Sequence, residues 1–74
     1  VGKVDKVLSF WNRKIEEDPD DIQAYVSLAA AFLETNERQK AIDQLNTTIE
    51  RFPEFREQGE FFIQEIRAGR NPQQ

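Results

Sequence analysis

The residue types that most often carry catalysis or bind metal ions are scarce in this chain. It contains no cysteine and no histidine, so thiol nucleophiles, imidazole bases and Cys/His metal ligands are all missing. The hydroxyls of Ser9 and Ser27 are the remaining candidate serine nucleophiles, but no activating base stands beside either of them in the sequence. We therefore expect a protein that has no catalytic activity and needs no cofactor.

Carboxylates are the other side chains here that could bind a ligand. A run of them surrounds Pro19 and comprises Glu16, Glu17, Asp18, Asp20 and Asp21. An EF-hand calcium loop needs a glycine at its sharp turn and a glutamate further along, and this run lacks both at the required spacing. Aspartates next to a proline favour the start of a helix instead. We expect caps here and no metal site.

Apolar residues recur at intervals of three and four along the chain, as they do on one face of an amphipathic helix. Four such segments follow one another, and no segment alternates as a half-buried strand does. The first helix is predicted at about residues 3–17, the second begins at Ile22, the third ends near Arg51, and the fourth ends near Gly69. The sequence therefore predicts an all-α fold of four antiparallel helices with short connections.

The apolar pattern repeats itself at an offset of 34 residues. Leu8, Trp11, Ile15 and Pro19 return as Ile42, Leu45, Ile49 and Pro53. A period of this length, built from helix-spaced apolar residues and closed by proline, is typical of helix-turn-helix solenoids. We predict such a solenoid, and with it a protein that works by binding other proteins.

The central part of the chain resembles the tetratricopeptide repeat. The matching residues are Tyr25, Leu28, Ala29, Phe32, Ala41, Leu45 and Pro53. The resemblance implies one domain in which residues 22–55 form a full repeat and residues 3–17 the second half of a preceding one. Residues 54–68 would then be the first half of a following repeat or a capping helix, and residues 69–74 a tail. Gly59 departs from the pattern, which would place an aromatic residue there.

This frame leaves each end of the chain without a partner helix. The last helix of one copy could therefore take the place that is empty beside the first helix of the next copy. A head-to-tail contact that does not close by rotation produces an open helical filament. We predict a structural protein that self-associates into a superhelical filament or oligomer. The residues expected at this contact are Val4, Val7, Leu8 and Trp11 on the first helix and Phe61, Phe62, Ile63 and Ile66 on the last.

Two further features favour a contact between the end helices. Phe61 lies off the apolar stripe of its own helix, which suggests an aromatic ring that faces a partner. The first helix carries the cations Lys3, Lys6, Arg13 and Lys14 against Asp5, and the last carries Glu57, Glu60 and Glu65 before Arg67. Complementary charges of this kind orient an association more than they strengthen it.

The alternative is an adaptor fragment of a larger protein that recruits a peptide or protein partner. The resemblance implies a peptide groove along the first helix of the full repeat. Its residues would be Gln23, Val26, Ala30 and Leu33. No cation lines this face, so a clamp for a peptide carboxylate is not expected.

Composition restricts the partners further. A net charge of -4 argues against a nucleic-acid surface. The longest nearly apolar stretch, residues 24–33, is too short to cross a membrane, so we expect no membrane insertion. The chain begins at Val1 rather than at methionine, from which we expect either a processed, extracellular protein or a piece excised from a larger one.

Overall fold

Four helices form the fold, in the order that the sequence predicts. The computed structural model describes residues 2–69, with side chains from Lys6 onward, and no strand occurs within these residues. The helices are α1 (Gly2–Glu17), α2 (Ile22–Glu34), α3 (Arg38–Arg51) and α4 (Arg56–Arg67), with a 3₁₀ turn at Pro53–Phe55 before α4. Each helix packs on the one before it. The all-α prediction is confirmed, whereas the predicted tail beyond Gly69 lies outside the described residues.

Aspartate side chains form the turn between α1 and α2. The Asp18 carboxylate accepts a hydrogen bond from the Asp20 backbone N–H at 3.2 Å. The Asp21 carboxylate accepts one from the Gln23 N–H at 3.1 Å and so caps α2. The cap satisfies one of the N–H groups that a helix start leaves without a partner. This part of the acidic run therefore shapes the turn, as its position beside a proline predicts.

Pro19 ties this turn to the rest of the molecule. Its carbonyl oxygen accepts hydrogen bonds from the Tyr25 hydroxyl at 3.1 Å and from Arg51 Nε at 2.8 Å. Arg51 also reaches the Asp20 carboxylate at 3.3 Å, and the rings of Tyr25 and Phe52 meet edge to face at 5.3 Å. The start of α2 and the end of α3 are held together through one backbone carbonyl.

Residues with a left-handed backbone conformation follow α2 and α4. Asn36 adopts a φ of 64° between α2 and α3, and Gly69 adopts 84° after α4, a region that asparagine and glycine tolerate best.

The Glu37 carboxylate accepts hydrogen bonds from Lys40 Nζ and the Thr35 hydroxyl, both at 2.9 Å. These bonds lower the pKa of Glu37. Its contribution to stability is therefore present above its unfolded pKa and is lost as the pH falls through the folded one.

The core lies around α3, which α2 covers on one side and α4 on the other. Its buried members are Tyr25, Ala29, Ala41, Ile42, Leu45, Ile49, Phe52, Phe55, Ile63 and Ile66. A second buried stripe on α2, formed by Ala24, Leu28 and Ala31, lies outside this cluster. These residues are three and four apart, so they share one side of the helix. We assign that side to α1, since α1 packs on α2 alone among the helices.

α4 turns its apolar stripe inward, which corrects part of the predicted contact between copies. Ile63 and Ile66, both predicted to touch a second copy, have exposed fractions of only 6% and 2%. They belong to the core of their own chain because α4 packs that side against α3. These two side chains offer no surface to a partner.

Gly59 is the reason that α4 comes so close to α3. A Cβ atom at this position would lie 2.7 Å from Cγ1 of Ile49 and 2.9 Å from Cε2 of Phe55. Atoms of side chains do not approach so closely without strain. The aromatic residue that the repeat pattern places here has no room, because Ile49 and Phe55 fill the space.

We expect Gly59→Ala to destabilise the protein, although alanine is the better helix former. Helix propensity would contribute about 1 kcal/mol in its favour, but overpacking costs about 1–3 kcal/mol, so the net loss should be about 1 kcal/mol. Urea denaturation would measure it, with Gln58→Ala at the exposed neighbouring position as the control. A Gly59→Ala protein more stable than the native one would mean that the two helices do not touch here.

Candidate protein interface

The internal repeat allows α1 to be compared with α3, position by position. The counterparts of Ala41, Leu45 and Thr48 on α3 are Val7, Trp11 and Lys14 on α1. On α3 these positions are buried, with exposed fractions of 0% for Ala41 and Thr48. On α1, Val7 is 41% exposed, Trp11 is half-buried and Lys14 is exposed. We call Val7, Trp11 and Lys14 the uncovered face of α1.

The difference follows from the number of neighbours that each helix has. α3 lies between α2 and α4, whereas α1 packs on only one of the helices that the structure describes, α2. On α3, Ile49 faces α4, since it is the residue closest to Gly59. Its counterpart Ile15 packs towards the core from α1, as expected for the side of α1 that faces α2. The uncovered face therefore corresponds to the side of α3 that packs against α2.

A groove of about 210 Å³ runs between the uncovered face and α2. Its lining residues are Val7, Trp11, Gln23, Val26, Ser27, Ala30, Ala31 and Glu34. Three of the four residues predicted for a peptide groove are among them. The fourth, Leu33, does not line this groove and packs against the core, as Val26 also does in part. Among the side chains that the structure describes, no lysine or arginine lines the groove.

A second groove, between α2 and α4, is lined by Ile22, Gln23, Val26, Glu54, Phe55, Gln58 and Phe62. Phe62 is half-buried there and packs against the core. Of the four α4 residues predicted to contact a second copy, Phe61 alone is exposed, at 56%. The outer face of α4, opposite the buried Gly59, Ile63 and Ile66, includes Phe61 and, one turn before it, Glu57.

Of the residues predicted on α1, Val7 and Trp11 lie on the uncovered face, and Leu8 is half-buried. The side chains of Lys3 and Val4 lie outside the described residues. Among the described side chains, the predicted contact retains Val7, Leu8 and Trp11 on one helix and Phe61 and Phe62 on the other, while the prediction for Val4 stays untested. Their role in binding a partner remains a prediction.

Phe10 is a surface residue that the sequence reasoning missed. Its side chain is 51% exposed, and its ring meets that of Trp11 edge to face at 4.8 Å. Nζ of Lys14 lies 5.4 Å from the centre of the Phe10 ring, within the range of a cation–π interaction. The signal that identified Phe61, an aromatic residue off the apolar stripe of its helix, could have identified Phe10 as well.

Each of the two end helices carries both positive and negative side chains, so the difference in charge between them is smaller than the sequence predicts. Glu16 and Glu17 lie within α1, and Glu60 pairs with Arg56 on α4 at 3.3 Å. What distinguishes α1 is a local cluster, since Lys6 and Arg13 line one shallow depression with Ser9 and Phe10. Neither of these cations, nor Lys14, forms an ion pair with a described residue.

The described side chains show neither an activated serine nor a cluster of acidic groups. Ser27 accepts a hydrogen bond from the Gln23 amide at 3.3 Å, which cannot activate it as a base would. Among the described residues, no three acidic side chains are grouped so that they could hold a metal ion. None of the helices described is both long and apolar enough to cross a membrane.

Comparison with known proteins agrees with the repeat that the geometry shows. A family model described as Tetratricopeptide repeat matches residues 6–60, from the first turns of α1 into α4. No curated protein and no solved structure matches the chain. The match covers most of the chain and confirms the resemblance read from the sequence.

Proposed function

Because the chain belongs to the tetratricopeptide repeat family, whose helical repeats are in general non-catalytic protein-binding modules, we propose that it is a structural protein that binds further copies of itself. In this assembly α4 of one copy covers α1 of the next. Such a contact joins two different faces of the molecule. Contacts of this kind propagate into a helical filament unless the rotation between copies closes a ring.

The uncovered face of α1 is the observation that carries this proposal. Val7 is 41% exposed, whereas its counterpart Ala41 is 0% exposed. The same repeat position is therefore buried on α3 and exposed to solvent on α1. A helix laid on α1 would remove Val7 and Trp11 from water, and this apolar burial would supply the affinity. α4 is the natural occupant because its outer face carries the exposed ring of Phe61.

The contact should be weak for each pair of copies. One helix lying on another buries less surface than the roughly 1,600 Å² of a standard protein interface. We therefore expect an association that depends on concentration in the micromolar range or above.

Sedimentation velocity over a wide range of concentrations tests this expectation. The mean mass should rise with concentration, and the fluorescence of Trp11, the single tryptophan, should shift to shorter wavelength as its ring is covered. Val7→Glu should raise the dissociation constant at least tenfold, because it places a charge in an apolar contact. Thr47→Glu, at an exposed position of α3, adds the same charge and should leave the association unchanged.

A native chain that remains a monomer at every concentration, with no shift in Trp11 fluorescence, would overturn this proposal. A second candidate function would then take its place. The groove between α1 and α2, which includes Gln23, Val26 and Ala30, would recruit an apolar peptide of another protein. Its open, largely uncharged lining favours this candidate over a clamp for a carboxylate.

A further inference from the structure

Lys14 stands at a position that a covering helix would bury. Its counterpart Thr48 has an exposed fraction of 0% under the helices that flank α3, and its hydroxyl donates a hydrogen bond to the Gln44 carbonyl at 2.8 Å. A lysine cannot be satisfied in that way, because its ammonium group needs an acceptor of negative charge when water is removed. A carboxylate placed beside Lys14 would therefore favour the binding of a helix over α1.

The outer face of α4 has a carboxylate at the required place. Glu57 and Phe61 are both exposed and are four residues apart, as are Phe10 and Lys14 on α1. Residues four apart on a helix are neighbours along one face, separated by about 6 Å along the axis. If the two helices run antiparallel, Phe61 can lie against Phe10 while Glu57 reaches Lys14.

We propose that α4 of a second copy lies antiparallel on α1 in this register, with Phe61 packed against Phe10 and Glu57 paired with Lys14. This proposal rests on the proposed self-association and adds its register and its charge partner. In this register the Lys14 ammonium group gives up its contact with the Phe10 ring. It forms an ion pair with Glu57 instead, beside the rings of Phe10 and Phe61.

Charge complementarity selects a second copy as the partner. Within the described residues, neither Lys14 nor Glu57 forms an ion pair, so each is available to the other. The chain carries a net charge of -4, and identical acidic chains repel each other unless a cationic surface is placed at the contact. Lys6, Arg13 and Lys14, all exposed on α1, together supply such a surface.

Charge reversal tests the register. Lys14→Glu alone would place two carboxylates face to face, and Glu57→Lys alone would place two ammonium groups together. Each variant should raise the dissociation constant tenfold or more in sedimentation velocity. An equimolar mixture of the two should associate as the native chain does, since every contact in an alternating assembly then joins a cation to a carboxylate.

Glu16→Lys is the matched control, because it changes the charge as Glu57→Lys does, at an exposed position of α1 away from the uncovered face. It should not block association, and circular dichroism should show every variant to be folded. If the native chain associates but the single variants behave like it, or their mixture stays dissociated, the register is overturned and the self-association stands. If the native chain does not associate at all, both proposals are overturned.

Discussion

Exchanging Thr48 for lysine is expected to unfold much of the protein, although lysine is the residue that α1 carries at the equivalent position. The Thr48 side chain is fully buried. An ammonium group buried at this site would lose its hydration without gaining an anionic partner, at a cost of about 3 kcal/mol or more. A core of this size supplies only about 3–5 kcal/mol of net stability. Circular dichroism during urea denaturation should show a transition at much lower urea concentration, or none.

The reverse exchange, Lys14→Thr, is the matched control. It removes a cation from the last turn of α1 and its contact with the Phe10 ring, which together contribute about 1 kcal/mol or less at an exposed site. Exchanging threonine and lysine should thus change the free energy of unfolding strongly at position 48 and only slightly at the equivalent position 14. Equal stability of Thr48→Lys and the native chain would show that α3 is not covered at this position.

The helices and their boundaries could be predicted because their determinants are local. Asp21 caps α2 two residues after Pro19, and α3 ends at Arg51, two residues before Pro53. These signals act within one turn of the chain, so the order of residues is enough to read them. The offset of 34 residues then indicates which helices share a role.

The rotation of α4 about its axis could not be predicted in this way. The spacing of Phe62, Ile63 and Ile66 shows that α4 has an apolar side, but not which neighbour that side meets. The close approach at Gly59 depends on Ile49, a residue of another helix. Likewise, nothing near Lys14 in the sequence shows that its counterpart Thr48 is buried, because the burial of Thr48 depends on the helices that pack against α3.

Ile66→Ala should cause the second large loss of stability. Ile66 has an exposed fraction of 2% and lies in the core cluster with Ile63. Truncation of a buried isoleucine to alanine removes apolar contacts and leaves a cavity, which costs about 2–5 kcal/mol. Urea denaturation should be followed in dilute protein, because self-association would raise the apparent stability.

Phe61→Ala separates the core of α4 from its proposed contact face. It removes a larger side chain than Ile66→Ala does, but one that is 56% exposed, so the stability of the monomer should change by no more than about 0.5 kcal/mol. Its effect should instead be on association, which sedimentation velocity measures. If Phe61→Ala destabilised the dilute monomer as much as Ile66→Ala, the outer face of α4 would belong to the core, and α1 would need a different partner.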